Sequence, residues 1–334
     1  MKIEKEKLIN YLKKKLGTKD FKICEITGDA SKRKYYRISN EKKKYILMDS
    51  SLEKRNYRNF IKCSNIFNKN KIKIPKIFDQ NDNKKILILE DIGNNLIYDR
   101  SNENNKIQIY KKAILNILNI QKIKVNNLPI YKENKYFEES HLFVKWVLEE
   151  LCNFSISNKD KKNIIKSINN LILKLNHNIN TVVHRDYHSK NIFYKNNKII
   201  IIDYQDSVYG SSVYDLVSLL NDCYVDTDKK SRKILINYFY DNFSQVNRKF
   251  KFSKNELFFN YNLLSAQRHM KASGIFCRLS IKYKRHNYLQ YLNRTINYII
   301  FATSKYNNLK IINFFAKEAL NKIYESNYIS SRQR

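Results

Sequence analysis

The stretch Val182-Val183-His184-Arg185-Asp186-Tyr187-His188-Ser189-Lys190-Asn191, followed shortly by Ile200-Ile201-Ile202-Asp203, decides how the rest of this 334-residue chain is read. Two apolar residues lead into a polar loop, and the loop ends in two apolar runs, 191–195 and 198–202, set around Asn196-Asn197. Asparagine tolerates the positive φ that a tight hairpin turn demands. A hairpin turning there puts Asn191 opposite Ile202, with Asp203 one residue farther along and the strands roughly 5 Å apart. The Asn191 amide and the Asp203 carboxylate are then expected to converge, with Asp186 on the loop that precedes them. Hard oxygen donors of this kind suit Mg²⁺ held jointly with phosphates. Phosphoryl transfer asks for such a set: a metal to neutralise spreading phosphate charge, and a carboxylate to aim the attacking hydroxyl and receive its proton. On this reading Asp186 is the base, Asn191 and Asp203 are the metal ligands, and His184 braces the loop. His188 is left to structure or substrate contact.

Outward from this stretch the pattern divides. Before it, residues 21–27, 35–39, 45–48 and 86–89 read as short strands, with Gly28-Asp29-Ala30-Ser31 as a turn and a basic helix over about 53–68. A helix over 8–16, closed by Gly17, precedes them. After Gly93 helices dominate: about 105–121, 139–151, 158–177, one from Ser212 onward, and most of 229–325. Ser157 with Asp160, and Ser212 with Asp215, carry N-capping spacings. The fold class expected is α+β. A small sheet-containing lobe over 1–91 carries the phosphate loop and hinge strand, and a larger helical lobe over 92–334 carries the catalytic loop and substrate cleft.

Composition sets the outer limits. With 43% hydrophobic and 13% aromatic residues, a sizeable core can form and wholesale disorder is excluded. Lys and Arg number 64 against 31 Asp and Glu, a net charge of +33. Taken alone, that charge suggests a polyanionic partner. The basic residues are spread over every segment and form no stripe, so compositional drift is preferred and no nucleic-acid partner is expected. Cys24, Cys63, Cys152, Cys223 and Cys277 are scattered without a Cys-x-x-Cys pair, as in reduced proteins of the cytoplasm. The first residues have no apolar signal-peptide core, and no run approaches the eighteen or so apolar residues that span a bilayer, so no membrane partner is expected.

The H-R-D-x-x-x-x-N and I-D-Y-Q-D elements resemble the aminoglycoside phosphotransferase/choline kinase family, whose fold is similar to the two-lobed protein kinases. A narrower resemblance is to the bacterial anomeric kinases of N-acetylmuramate and N-acetylglucosamine in cell-wall recycling. It is carried by Gly28-Asp29-Ala30-Ser31-x-Arg33-x-Tyr35-x-Arg37, Leu89-Glu90-Asp91-Ile92-Gly93, Asp203-Tyr204-Gln205-Asp206, Tyr214-Asp215-Leu216-Val217-Ser218-Leu219-Leu220, and Gln267-Arg268 with Gly274-Ile275-Phe276-x-Arg278-Leu279. The resemblance implies that residues 28–31 cover the phosphates of ATP, where glycine lets backbone N–H groups approach and Ser31 adds a donor. It also implies that the backbone of Glu90 to Ile92 meets adenine.

One departure stands out. Met48 occupies the position of the lysine that pairs with phosphates in kinases, a feature shared with the sugar-kinase relatives. Arg33 or Arg37 is the candidate to supply the missing charge. For the acceptor, Tyr187 is expected to stack on a sugar ring and Asp206 to bond its hydroxyls, while Arg268 and Arg278 are candidates to meet an acidic group. Asp215 is read as a structural acid in the first turn of its helix. The expectation is therefore an ATP- and Mg²⁺-dependent, monomeric kinase acting on the anomeric hydroxyl of a small-molecule amino sugar. By resemblance, a nucleotidyltransferase would consume its product. The alternatives are an aminoglycoside, choline or amino-alcohol acceptor, or an inactive scaffold that binds nucleic acid.

Overall fold

Alternating short apolar strands build the first sheet of the computed structural model, which describes residues 11–15, 21–26, 33–40, 43–175, 180–246 and 253–332. β1 (Lys22–Ile26), β2 (Lys34–Ser39), β3 (Lys44–Asp49), β4 (Ile77–Asn81) and β5 (Ile86–Glu90) form one antiparallel sheet in the order β1-β2-β3-β5-β4. Leu47 and Met48 are neighbours on β3, so they point to opposite faces, and both are fully buried. The centre of the sheet is thus covered on both sides. One face packs Ile38, Leu47, Ile86 and Ile88 against Leu12 from helical residues 11–15. The expected cap at Gly17 lies outside the described residues, as does the turn at 28–31.

β4 is a strand the sequence reading missed. Its residues Ile-Phe-Asp-Gln-Asn show no sustained alternation, it lies at the sheet edge, and its register with β5 shifts between Ile77 and Asp79. Edge strands with one polar flank bury little, so their pattern is weak. Helix α1 (Lys54–Lys69) follows the expected span and buries Tyr57, Phe60, Cys63, Ser64, Ile66 and Phe67 along one stripe.

The remaining chain is mainly helical. It contains α2 (Ile97–Arg100), α3 (Lys106–Gln121), α4 (Glu133–Leu142) continuing into π-helical Phe143–Leu151, and α5 (Asn158–Leu175). The fourth helix therefore starts earlier than the expected 139. The cap foreseen at Ser157 forms: the Asp160 N–H donates to Ser157 Oγ at 3.1 Å. Two short sheets follow. β6 (Asn180–Val183) pairs antiparallel with β9 (Val208–Ser211), a strand the sequence reading did not foresee. β7 (Ile192–Lys195) and β8 (Lys198–Ile201) form the hairpin, and Asn196 and Asn197 at its turn have φ of 49° and 63°. Both central residues lie at positive φ, as a type I′ turn requires.

Then come α6 (Tyr214–Leu220), α7 (Lys229–Val246), α8 (Lys254–Tyr283), α9 (Leu292–Thr303) and α10 (Lys310–Arg332). The N-cap expected at Ser212 does not form. Val213, one residue later, caps α6 without a side-chain bond. Gly274 of α8 has a close-packing role: a β-carbon there would sit 2.4 Å from the Leu142 carbonyl carbon at the end of α4. Only glycine lets the two helices approach so closely.

The fold class is thus α+β, with a small antiparallel sheet and a mostly helical remainder. By contact the chain divides into one unit of residues 1–95 and 200–205 and a second of 96–199 and 206–334. All five thiols are free, and none of the described helices is long and apolar enough to cross a membrane.

Candidate active site

In the second unit, β6 delivers the chain into the loop that begins at His184, and two buried carboxylates hold that loop. Asp215 accepts the backbone N–H of His184 at 2.7 Å and that of Arg185 at 3.0 Å. Asp222 accepts the N–H of Ser189 at 2.7 Å and that of Tyr224 at 2.8 Å. Both acids are wholly buried. Asp215 lies in the first turn of α6 and Asp222 just past its C-terminal end, so the two acids flank one short helix and grip the loop at two points. Asp215 is thus the structural acid in the first turn of α6 that the sequence suggested, and it clamps the loop. Burial pushes its carboxyl upward, while His184 and the two N–H groups draw it back.

Arg185 takes a positive φ of 76°, a conformation costly outside glycine and kept only where surroundings impose it. The imposing contact is an ion pair with the buried Glu139 at 2.6 Å, with the guanidinium 4.7 Å above the Tyr131 ring. Tyr131 also donates its hydroxyl to Glu139. On the next residue, the Asp186 side chain is 36% exposed, and Lys271 Nζ lies 3.7 Å from its Oδ1. The same ammonium lies 3.8 Å from Glu139. Burial would raise the Asp186 pKa, but Lys271, Arg185, His188 and Arg268 together hold it well below the usual carboxylate range. The result is an accessible carboxylate kept anionic by fixed cations.

Lys271 and Glu139 were not foreseen. A signal existed: Lys271 stands one turn after Arg268 and two before Arg278, on one face of a long helix. Arg268 is 5% exposed and donates to Cys223 Sγ at 3.8 Å, so it is an interior cation that acts on Asp186, not one presented to solvent. Arg278 is partly buried, and its Nε has no hydrogen-bond partner among the described residues. Asp206 is partly buried, with its carbonyl 3.5 Å from Arg185. The expectation that Tyr187 stacks on a substrate is overturned. Its ring is wholly buried, and its hydroxyl lies 2.9 Å from the Ala113 carbonyl and 3.0 Å from Asn116 Oδ1. The large apolar ring turns to the core while its polar neighbour turns outward. The Asn191 amide nitrogen donates to the Asp186 carbonyl at 3.0 Å and lies 3.3 Å from His188 Nε2, which leaves Oδ1 as the atom available to a cation.

In the first unit, residues 200–205 are held by the Ile201 N–H donating to Lys73 O at 3.1 Å and by Tyr204. The Tyr204 ring packs on Phe60 and Phe67 of α1, and its hydroxyl meets Ser64 at 2.9 Å. This anchoring presents Asp203, itself at φ 62°. Arg33 resolves part of the problem posed by Met48. Its side chain is 5% exposed, and its guanidinium lies 2.9 Å from Asp203 and 3.7 Å from Glu53. Burial opposes its charge, but Tyr35, Asp203 and Glu53 raise its pKa, so it remains cationic. Arg37 is committed differently, with Nε 2.8 Å from Asp91 and a further bond to Asn94 at 2.9 Å.

Glu90 exchanges backbone and side-chain bonds with Lys76, and Ile92 is buried. Gly93 follows at φ +88° with open space where a side chain would begin, so the backbone angle and not crowding demands glycine. Gly28, Asp29, Ala30 and Ser31 lie outside the described residues.

Known proteins resemble this chain over most of its length. A relative from Neisseria meningitidis named N-acetylmuramate/N-acetylglucosamine kinase is 23% identical over 309 residues, covering 91% of this chain and 92% of the relative. The choline kinase of Streptococcus pneumoniae superposes with a TM-score of 0.63 at 12% identity, over 89% of this chain and 98% of that one. An ADP-bound aminoglycoside phosphotransferase, APH(2'')-Ib, gives 0.57 at 15% identity, over 88% and 96%. The model of one family, the phosphotransferase enzyme family, matches residues 22–244, which include Asp186, Asp203 and the clamped loop, and to that family of enzymes this chain belongs.

Proposed function

We propose that this phosphotransferase moves the γ-phosphoryl group of ATP to the anomeric hydroxyl of an N-acetylated amino sugar, N-acetylmuramate or N-acetylglucosamine. The observation that carries the reading is Asp186: a partly exposed carboxylate, held anionic by Lys271 and Arg185, on a loop clamped at both ends. A carboxylate of low basicity aims the acceptor hydroxyl in the ground state. It takes the proton late, as a loose phosphoryl-transfer transition state requires. The name of the Neisseria meningitidis relative supports the sugar, and the ADP of the aminoglycoside enzyme supports ATP.

The donor chemistry fits Mg²⁺. Asn191 offers an amide oxygen and Asp203 retains Oδ2 beyond the oxygen taken by Arg33 and Gln205. Each, in its own unit, is a hard oxygen donor of the kind Mg²⁺ takes beside substrate phosphates. When bound, the ion would neutralise charge on the transferring phosphates. Arg33 takes over the cationic duty of the lysine absent at Met48, holding Asp203 through one arm and Glu53 through the other. Arg33→Ala is expected to lower kcat/KM for ATP about 100-fold, the scale of one lost charged contact. Arg37→Ala, whose partner is Asp91, should change it less than about threefold. Equal losses in steady-state kinetics would remove the assignment.

The direct test of the reaction is product analysis after incubation with ATP and each sugar. Transfer to the anomeric hydroxyl abolishes the reducing end. A phosphorylated product that still reduces would exclude it.

A further inference from the structure

Lys190, immediately before Asn191, stands outside the carboxylate cluster. Its ammonium lies 4.3 Å from the ring centre of Tyr224, 5.1 Å from that of Tyr291 and 5.2 Å from that of Tyr98. It also donates to the Tyr291 hydroxyl at 3.2 Å. Three aromatic faces hold the charge without neutralising it. Lys271 has Asp186 and Glu139 beside it, whereas Lys190 has no carboxylate oxygen within bonding reach among the described residues. A partly buried, positioned ammonium without a counter-ion is a site prepared for an anion.

The surroundings say which kind. The Tyr224 ring meets the His188 ring edge-on at 5.0 Å, and His188 touches Asn191, which bonds the Asp186 carbonyl. Tyr224 also adjoins Phe276, which continues the aromatic wall to Tyr291. A cation and an aromatic wall thus stand within a few side chains of the acceptor-activating carboxylate. An apolar sugar face suits the wall, and a carboxylate substituent suits the ammonium.

We propose that Lys190 reads an acidic substituent on the acceptor, so that it selects an acid-bearing N-acetyl sugar over its neutral counterpart. The inference rests on the amino-sugar reading above. It takes the place of the sequence-based assignment of that task to Arg268 and Arg278, of which Arg268 is interior.

The test is Lys190→Met in the full chain, assayed with N-acetylmuramate and N-acetylglucosamine. For N-acetylmuramate, kcat/KM should fall about 10- to 100-fold, mostly through KM, with the loss of one charged hydrogen bond. For N-acetylglucosamine it should change less than about threefold, because the neutral sugar brings no partner for the charge. Lys190→Arg should recover most of the difference. Equal losses for the two sugars, or no loss for the acid, overturn the proposal, and Lys190→Gln serves where the Met variant does not fold. Ligand-observed NMR of both sugars separates this idea from its parent. Lys190-dependent binding of N-acetylmuramate without turnover sinks only the kinase reading, whereas a wild type that binds neither sugar sinks both.

Discussion

Asp186→Asn should lower kcat by about 10³-fold, within the range typical of a positioned base, while the nucleotide KM stays within about threefold. The asparagine keeps the shape of the side chain and removes its charge together with its capacity to take a proton. The fixed cations around Asp186 sharpen this expectation. Because Lys271 and Arg185 hold the carboxyl well below its ordinary pKa of 3.8, the wild-type base is ionised throughout the neutral range. Its kcat should therefore show no acid limb from this group above about pH 5, where an unperturbed carboxylate would already begin to titrate. The linkage has the same sign. A lowered folded-state pKa contributes stability that is complete above the unfolded value and lost as pH falls below it. A variant retaining more than a tenth of wild-type kcat would remove Asp186 from the role of base.

Asp215→Ala should destabilise the protein by about 3 kcal/mol, since two backbone donors lose their acceptor and each orphaned buried donor costs about 1–3 kcal/mol. The donors are the N–H groups of His184 and Arg185, so the damage falls on the segment that carries Asp186. Activity should drop further than the unfolded fraction explains, because a loosened loop no longer aims the carboxylate. Asp215→Asn, which keeps one accepting oxygen, should lose about half as much stability. Urea denaturation beside kcat measured at a temperature where both variants are folded checks the pair. An alanine variant within about 0.5 kcal/mol of wild type would show that the clamp contributes little.

The two acids differ in how they could be found. Asp186 sits in a polar run whose spacing to Asn191 carries a chemical meaning, so its candidacy is local. Asp215 lies in a short apolar helix and Asp222 just past its end, and nothing nearby in the chain names the loop N–H groups they serve. Those groups, on His184, Arg185 and Ser189, lie thirty or more residues earlier in sequence. The same holds for Glu139 and Lys271, which meet across helices α4 and α8. Tyr187 failed in the opposite direction. A tyrosine beside a base looks like a stacking platform, but only packing decides whether such a ring turns to the core or to the cleft.

What the amino-acid order determined alone was whatever depends on neighbours along the chain. That covers the hairpin at Asn196-Asn197, four of the five strands of the first sheet, the cap at Ser157, the span of α1, and the family to which the loop belongs. Backbone angles and side-chain periodicity at those places answer to residues a few positions away. Folding decided the rest: which of Arg33 and Arg37 faces Asp203, which acids grip the loop, and which cations surround Asp186. Charge interactions reach across space and are strong only where water is excluded. Their partners are therefore set by packing, which no local pattern encodes.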